Sequence, residues 1–258
     1  MDIGNRGAPA YVESQDVEHG SFELSLSKGA VKRKTADSSA KPSRGRRSRE
    51  ATRQKLIDAA LRVMAEKGVD GTAINDITEA ADVGFGSFYN HFNSKAEIAQ
   101  AVFDIHAAEL GEITRFIGER EEDRAVAVAY IQKTFITKAV TDPVWGWFII
   151  HAAVGLPDLW RVFAEQGTGH IREGTTSGRF AVTCDQTAMR ITLAALMATM
   201  RDLLDGTAKA DAGEETIECL LRMLGVPGEE ARKLSRRKLP AYVLGLFQPD
   251  GQAAASAG

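Results

Sequence analysis

Cysteine is scarce: 258 residues contain two, Cys184 and Cys219, far apart and without histidine or cysteine neighbours at metal-ligand spacing. That excludes a disulfide scaffold and a zinc cluster, and it fits a reducing compartment. Long hydrophobic runs are missing too. The longest, residues 144–156, is too short to cross a bilayer and carries His151. The first residues lack the charged-then-apolar pattern of a secretory signal, so the expectation is a soluble, cytoplasmic protein with no membrane partner. Strand-type alternation and internal repeats are absent. No nucleophile–base pair or paired carboxylates occur at usable spacing, and His151 with Asp158 does not amount to a catalytic set. The expectation is therefore no enzyme, no metal and no cofactor.

What is present is uneven charge. The net formal charge is −3. Residues 28–55 nevertheless hold eleven basic side chains against Asp37 and Glu50, a local +9 that leaves −12 on the remainder. A polyanion is expected at that end. Residues 1–48 show no sustained period and are rich in Gly, Ser, Ala, Lys and Arg, so they are expected to be a disordered basic extension, either a solvated tail or a DNA-contacting arm.

From Glu50 onward the chain reads as helices. Leu56, Ile57, Ala60, Leu61 and Met64 recur at helical spacing, and Gly68 is placed to end that helix. Thr72 is read as the N-cap of a second helix whose Ile74, Ile77 and Ala81 face inward. Asp82-Val83-Gly84 breaks it. A third helix of about two turns runs from Gly86 or Ser87 to His91. Ser94-Lys95-Ala96-Glu97 reads as a capping box opening a long fourth helix. Further helices are expected near 121–140, 143–154, 157–173, 184–205 and 213–224, with one more basic helix in the tail 227–258 before a flexible end. The fold class is all-α: a helix-turn-helix domain at 49–95, then a larger helical domain at 96–226.

Helix-turn-helix spacing puts one short helix where it can enter a major groove. Phe88 and Phe92 anchor that helix. Ser87, Tyr89, Asn90 and His91 then face the groove or its phosphate rims, and Gly84 and Gly86 let backbone approach closely. Lys95 sits at a helix N-terminus, which itself favours phosphate. Arg49 and Arg53 add cations from the basic stretch.

Thr72, Ile74, Ile77, Ala80, Ala81, Val83, Gly86, Phe88, Tyr89, His91, Phe92, Lys95 and Ile98 together resemble the TetR family of transcriptional regulators, over about residues 50–98. The resemblance implies an all-helical homodimer with a DNA-binding lobe and a larger ligand-binding lobe. It implies that Tyr89, His91, Lys95 and Thr72 lie on or near phosphate, and that Gly84, Phe85, Gly86, Ser87 and Tyr89 supply base contacts. Two positions depart from the family pattern. Asp82 stands where glycine is common, and Gly84-Phe85 stands where Ser-Lys or Ser-Arg is common, leaving Phe85 to touch a thymine methyl.

The resemblance also implies an effector pocket among the later helices. The residues chosen for it are Trp145, Phe148, His151, Trp160, Phe163 and Met197, with a small hydrophobic effector as the partner. Residues 184–205 and 213–224 are the expected dimer interface, and a two-fold dimer requires a palindromic DNA operator. The function expected is a ligand-released repressor. The alternatives are a ligand-dependent activator of the same fold and a non-specific DNA binder using the basic arm.

Overall fold

The computed structural model describes residues 44–247, except that the side chains of Arg44, of residues 157–163, of Gln166 and of Phe247 lie outside what is described. The expected basic extension as far as residue 43, and the expected flexible end over residues 248–258, likewise lie outside it. Helix α1 runs Arg44–Gly71, ahead of the start expected at Glu50, and is broken at Gly68, whose φ of 75° ends the regular helix as its sequence position implied. Then follow α2 (Ile74–Ala80), α3 (Phe85–Phe88), α4 (Lys95–Arg120), α5 (Arg124–Thr141), α6 (Pro143–Gly155), α7 (Pro157–Thr176), α8 (Asp185–Leu204), α9 (Ala212–Met223), α10 (Gly228–Arg236) and α11 (Ala241–Leu244). A 3-10 turn closes the described chain at Gly245–Phe247. Among the described residues there is no strand. The tail splits into two short helices where one was expected, because Leu239-Pro240 interrupts it.

Local chemistry sets the boundaries. Asp142 caps α6 by accepting a hydrogen bond from the Trp145 amide at 3.1 Å, with Pro143 in the first turn. Ser94 Oγ accepts from the Glu97 amide at 3.1 Å, one half of the expected capping box. The other half differs: Glu97 Oε2 accepts from the Asn93 amide and from Asn93 Nδ2, one residue before the Ser94 amide.

One hydrophobic core joins α1–α4 to the later helices. Leu56, Ile77, Phe88, Ile98, Phe103, Phe148 and Leu221 all belong to it. Helix α1 lies against α6: Val69 fits the space left by Gly155, and His151 Nδ1 lies 3.2 Å from the Met64 carbonyl. A smaller cluster of Ile113, Ile117, Tyr130, Leu239 and Val243 pins α11 onto the outer ends of α4 and α5. No helix among the described residues is long and apolar enough to cross a membrane.

Candidate DNA interface and effector cavity

The turn between α2 and α3 is built on Asp82, the one non-glycine residue with positive φ (52°) among those described. Asp tolerates this left-handed conformation better than most residues. The Val83 amide then donates to the Thr78 carbonyl at 3.0 Å, folding the chain back so that α3 starts at Phe85. Phe88 and Phe92 sink into the core, their ring centroids 5.9 Å apart. Burying that side turns the other outward. Phe85 and Tyr89 are each about half exposed and meet edge-on at 5.6 Å. Gly84, Gly86 and Asn90 are exposed beside them, with Ser87 and His91 partly covered.

Basic side chains flank this face. Arg49 donates to the Asn90 carbonyl at 3.0 Å, and Arg53 lies over the Phe92 ring at 5.1 Å. Both therefore stand beside the end of α3. His91 sits among them, and burial first, then the charges of Arg49 and Arg53, push its pKa below the ordinary imidazole value. Lys95 donates to the Asp70 carbonyl at 2.9 Å, which ties the start of α4 to the end of α1. The structure thus gathers Arg49, Arg53, Gly84–Ser87, Tyr89, Asn90 and His91 at one end of the molecule.

Thr72 does not join them as read. It is buried, and its hydroxyl donates to the Gly68 carbonyl at 2.7 Å. The N-cap of α2 is Ala73, whose amide is held by Asp76 Oδ2 at 2.9 Å. Asp76 also pairs with Lys67 at 2.9 Å, so α1 and α2 are joined by the same carboxylate.

Of the aromatic residues read from sequence as a pocket, Trp145 and Phe148 lie in the core and His151 faces α1. Trp145 and Phe148 are fully buried. His151 stacks on Trp147 at 5.6 Å and faces α1 through Met64. Met197 is half-buried against the core. The side chains of Trp160 and Phe163 fall outside the described residues. None of Trp145, Phe148, His151 and Met197 lines the enclosed cavity, which lies between α4, α5, α7 and α8. Its volume is about 60 Å³ and its walls are mainly apolar, lined among others by Leu110, Phe135, Ile171, Met189, Leu193 and Leu196. Gln132, Thr192 and His170 are its polar residues of interest. Sequence reading missed them. The available signal was a polar residue in the inward stripe of each of two helices: Gln132 among Ala129, Phe135 and Ile136, and Thr192 among Met189, Leu193 and Leu196. Among the described residues, no cluster of histidine, cysteine and carboxylates is arranged to hold a metal ion.

Comparisons with known proteins bear on both ends. Residues 56–102 match the family model described as bacterial regulatory proteins, tetR family, and residues 123–237 match the tetracyclin repressor-like C-terminal domain. The HTH-type transcriptional repressor DhaR of Mycobacterium sp. (strain GP1) is 39% identical over 79 residues, 31% of this chain and 38% of DhaR. The HTH-type transcriptional regulator SrpR of Pseudomonas putida is 40% identical over 84 residues, 32% of this chain and 39% of SrpR. The chain thus matches about two fifths of the length of these curated relatives. Solved structures extend the likeness. RolR in complex with its ligand resorcinol aligns with a TM-score of 0.60 and 31% identity, covering 76% of this chain and 98% of RolR. FadR from Bacillus subtilis, solved with stearoyl-CoA, aligns at 0.56 and 19% identity over 68% of this chain and 98% of FadR, a likeness of fold alone.

Proposed function

The chain belongs to the tetR family of bacterial transcriptional regulators, and from that premise we propose that it is a homodimeric repressor released from a palindromic operator by a small molecule. The observation that carries the DNA half is the outward face of α3. Phe85 on α3 and Tyr89 at its C-cap are half exposed, while Phe88 and, four residues on, Phe92 are locked in the core. A helix fixed in that way presents Ser87, Tyr89 and neighbouring backbone to base edges. Arg49, Arg53, His91 and Lys95 then lie toward phosphate.

The cavity is the proposed effector site. RolR, the relative solved with resorcinol and again without ligand, supports a small molecule as the effector. Coupling runs through two elements. Helix α4 begins at the DNA end with Ser94 and supplies Leu110 and Thr114 to the cavity. Helix α6 touches the α1 end through His151 and Gly155. A ligand that favours one arrangement of α4 and α7 shifts the population of dimers whose reading helices fit the half-site spacing.

Helices α8 and α9 are the proposed dimer face. Thr187, Ile191, Ala194, Ala198 and Arg201 form an exposed stripe along α8 at helical spacing. Its small residues permit close approach of a second copy.

The test is selection of bound duplexes from a random pool at near-physiological salt, followed by release with candidate effectors. Enrichment of a palindrome is the expected result. The basic segment before α1 favours a second reading, a non-specific binder. Its sign is no enrichment and binding that vanishes steeply with salt.

A further inference from the structure

The wall of the cavity is apolar except where Thr114, Gln132, His170 and Thr192 enter it, and the Thr114 hydroxyl is already spent on the Leu110 and Gly111 carbonyls. The Gln132 side chain has neither its amide nitrogen nor its amide oxygen paired among the described residues, and the Thr192 hydroxyl and His170 Nδ1 are unpaired as well. Gln132 is 2% exposed and Thr192 is 4% exposed. Groups buried in that way lose water without compensation, and native proteins keep few of them. Leucine and valine would fill the same places without that cost, so these two residues call for an occupant that pairs with them.

The wall also limits what the occupant is. No Asp, Glu, Lys or Arg lines the cavity. A carboxylate or ammonium group would enter without a counter-charge, which is far costlier than burying a neutral molecule. The volume of about 60 Å³ is smaller than the roughly 150 Å³ of an engineered cavity that takes benzene. One ring fits only if a wall gives, and a long acyl chain does not fit. The movable wall is Met189. Its thioether occupies the place where a side chain on Gly167 would begin, and methionine changes shape readily. His170 borders both this cavity and an outer groove formed with Ala107, Gly111, Thr114 and Gly169, which marks the way in.

We infer that the cavity selects an uncharged, single-ring molecule with at least two hydrogen-bonding substituents, held by the Gln132 amide and the Thr192 hydroxyl and admitted past His170 and Met189. This rests on the cavity being the effector site.

The experiment is calorimetric titration of the full chain with resorcinol, phenol, toluene and benzoate. The expected order is resorcinol above phenol above toluene, with benzoate not binding. Gln132→Leu should weaken resorcinol about tenfold, the value of one lost hydrogen bond, and leave toluene within about twofold. It should also raise the melting temperature of the unliganded protein, because an unpaired amide is gone. Thr192→Val, a smaller change, should weaken resorcinol in the same sense and guards against misfolding of the leucine variant. Toluene or benzoate binding as tightly as resorcinol overturns the inference. So does resorcinol affinity unchanged in both variants, or no binding by any of the four at millimolar concentration. Operator affinity measured on the same samples separates this from the broader reading. Ranked binding without operator release keeps the ligand class and overturns the ligand-released regulator. Release by a charged or long-chain compound, with no ring binding, does the reverse.

Discussion

At the α1–α2 junction beside the DNA end, Thr72, Thr78 and Asp76 are closed on neighbouring groups; in the larger body, and at Gln132 and Thr192 in the cavity wall, buried polar groups are left open. Thr72 donates to the Gly68 carbonyl, Thr78 donates to the Asn75 carbonyl, and Asp76 holds both the Ala73 amide and Lys67. In the body, Gln132, Thr134, Thr192 and the Trp145 indole nitrogen have no partner among the described residues. The two ends face different demands. A reading helix must be held still before DNA arrives, and closed local hydrogen bonds plus the Phe88–Phe92 anchor do that. A ligand site, which the cavity is proposed to be, must gain something when its ligand binds, and open valences would supply the gain at some loss of stability in the empty state.

The comparison breaks most visibly if the anchor is removed. Phe88→Ala should cost about 3–5 kcal/mol, because a fully buried ring leaves a cavity in a packed core. Specific DNA binding should be lost with it. Chemical denaturation gives the number, and a cost below about 1 kcal/mol would mean the α3 anchor is not packed as described. Tyr89→Ala tests the outward side of the same helix. Operator affinity should fall about tenfold while stability stays within about 0.5 kcal/mol of the parent, since Tyr89 is half exposed.

A threonine pair sharpens the contrast further. Thr72→Val removes a satisfied hydroxyl and should cost about 1 kcal/mol. Thr192→Val removes an unsatisfied one and should be neutral or stabilising in the unliganded protein. Equal costs at the two sites, by the same denaturation measurement, would erase the distinction between the two ends.

The Glu109 carboxylate probes the body through its acid stability. Glu109 lies 3.6 Å from His106 Nδ1 and 2.8 Å from the largely buried Lys138 ammonium. His106 first and Lys138 next hold its carboxyl down to about 2, against the opposing effect of burial. The folded value is below the ordinary carboxylate value of 4.5, so the contribution is full above that value and is lost as pH falls toward about 2. Melting temperature followed through that range should drop less steeply for Glu109→Gln than for the parent.

How much of this was readable in advance follows from what each signal encodes. The Gly68 stop, the helix start near residue 143 and the inward phenylalanines were legible because capping and helical period are local. The direction of the Thr72 hydroxyl was not, because it depends on a carbonyl of the preceding helix lying within reach. The cavity between α4, α5, α7 and α8 was not legible for a related reason. Trp145 and Phe148 mark aromatic density, and density marks the centre of a core. A cavity forms where four helices diverge, and no single helix carries that information. Gln132 and Thr192 were the visible trace, as polar residues where the period asked for apolar ones.

The smallest expected effect links the DNA end to protons. In the free protein, burial and then Arg49 and Arg53 keep His91 below the ordinary imidazole pKa of 6.5. The fold therefore has its full stability from this group above 6.5 and loses it as pH falls through the lowered value. A DNA phosphate beside His91 offsets the two arginines and raises that pKa, so the complex takes up protons that the free protein does not. Operator affinity should then rise severalfold between about pH 8 and about pH 6, in the direction opposite to the change in stability. Fluorescence anisotropy with the selected duplex measures it, and His91→Gln should flatten the slope. Because the two trends oppose each other, tighter binding in acid would not come from a firmer fold. A slope that survives in His91→Gln would assign the proton to another group and remove His91 from the phosphate rim.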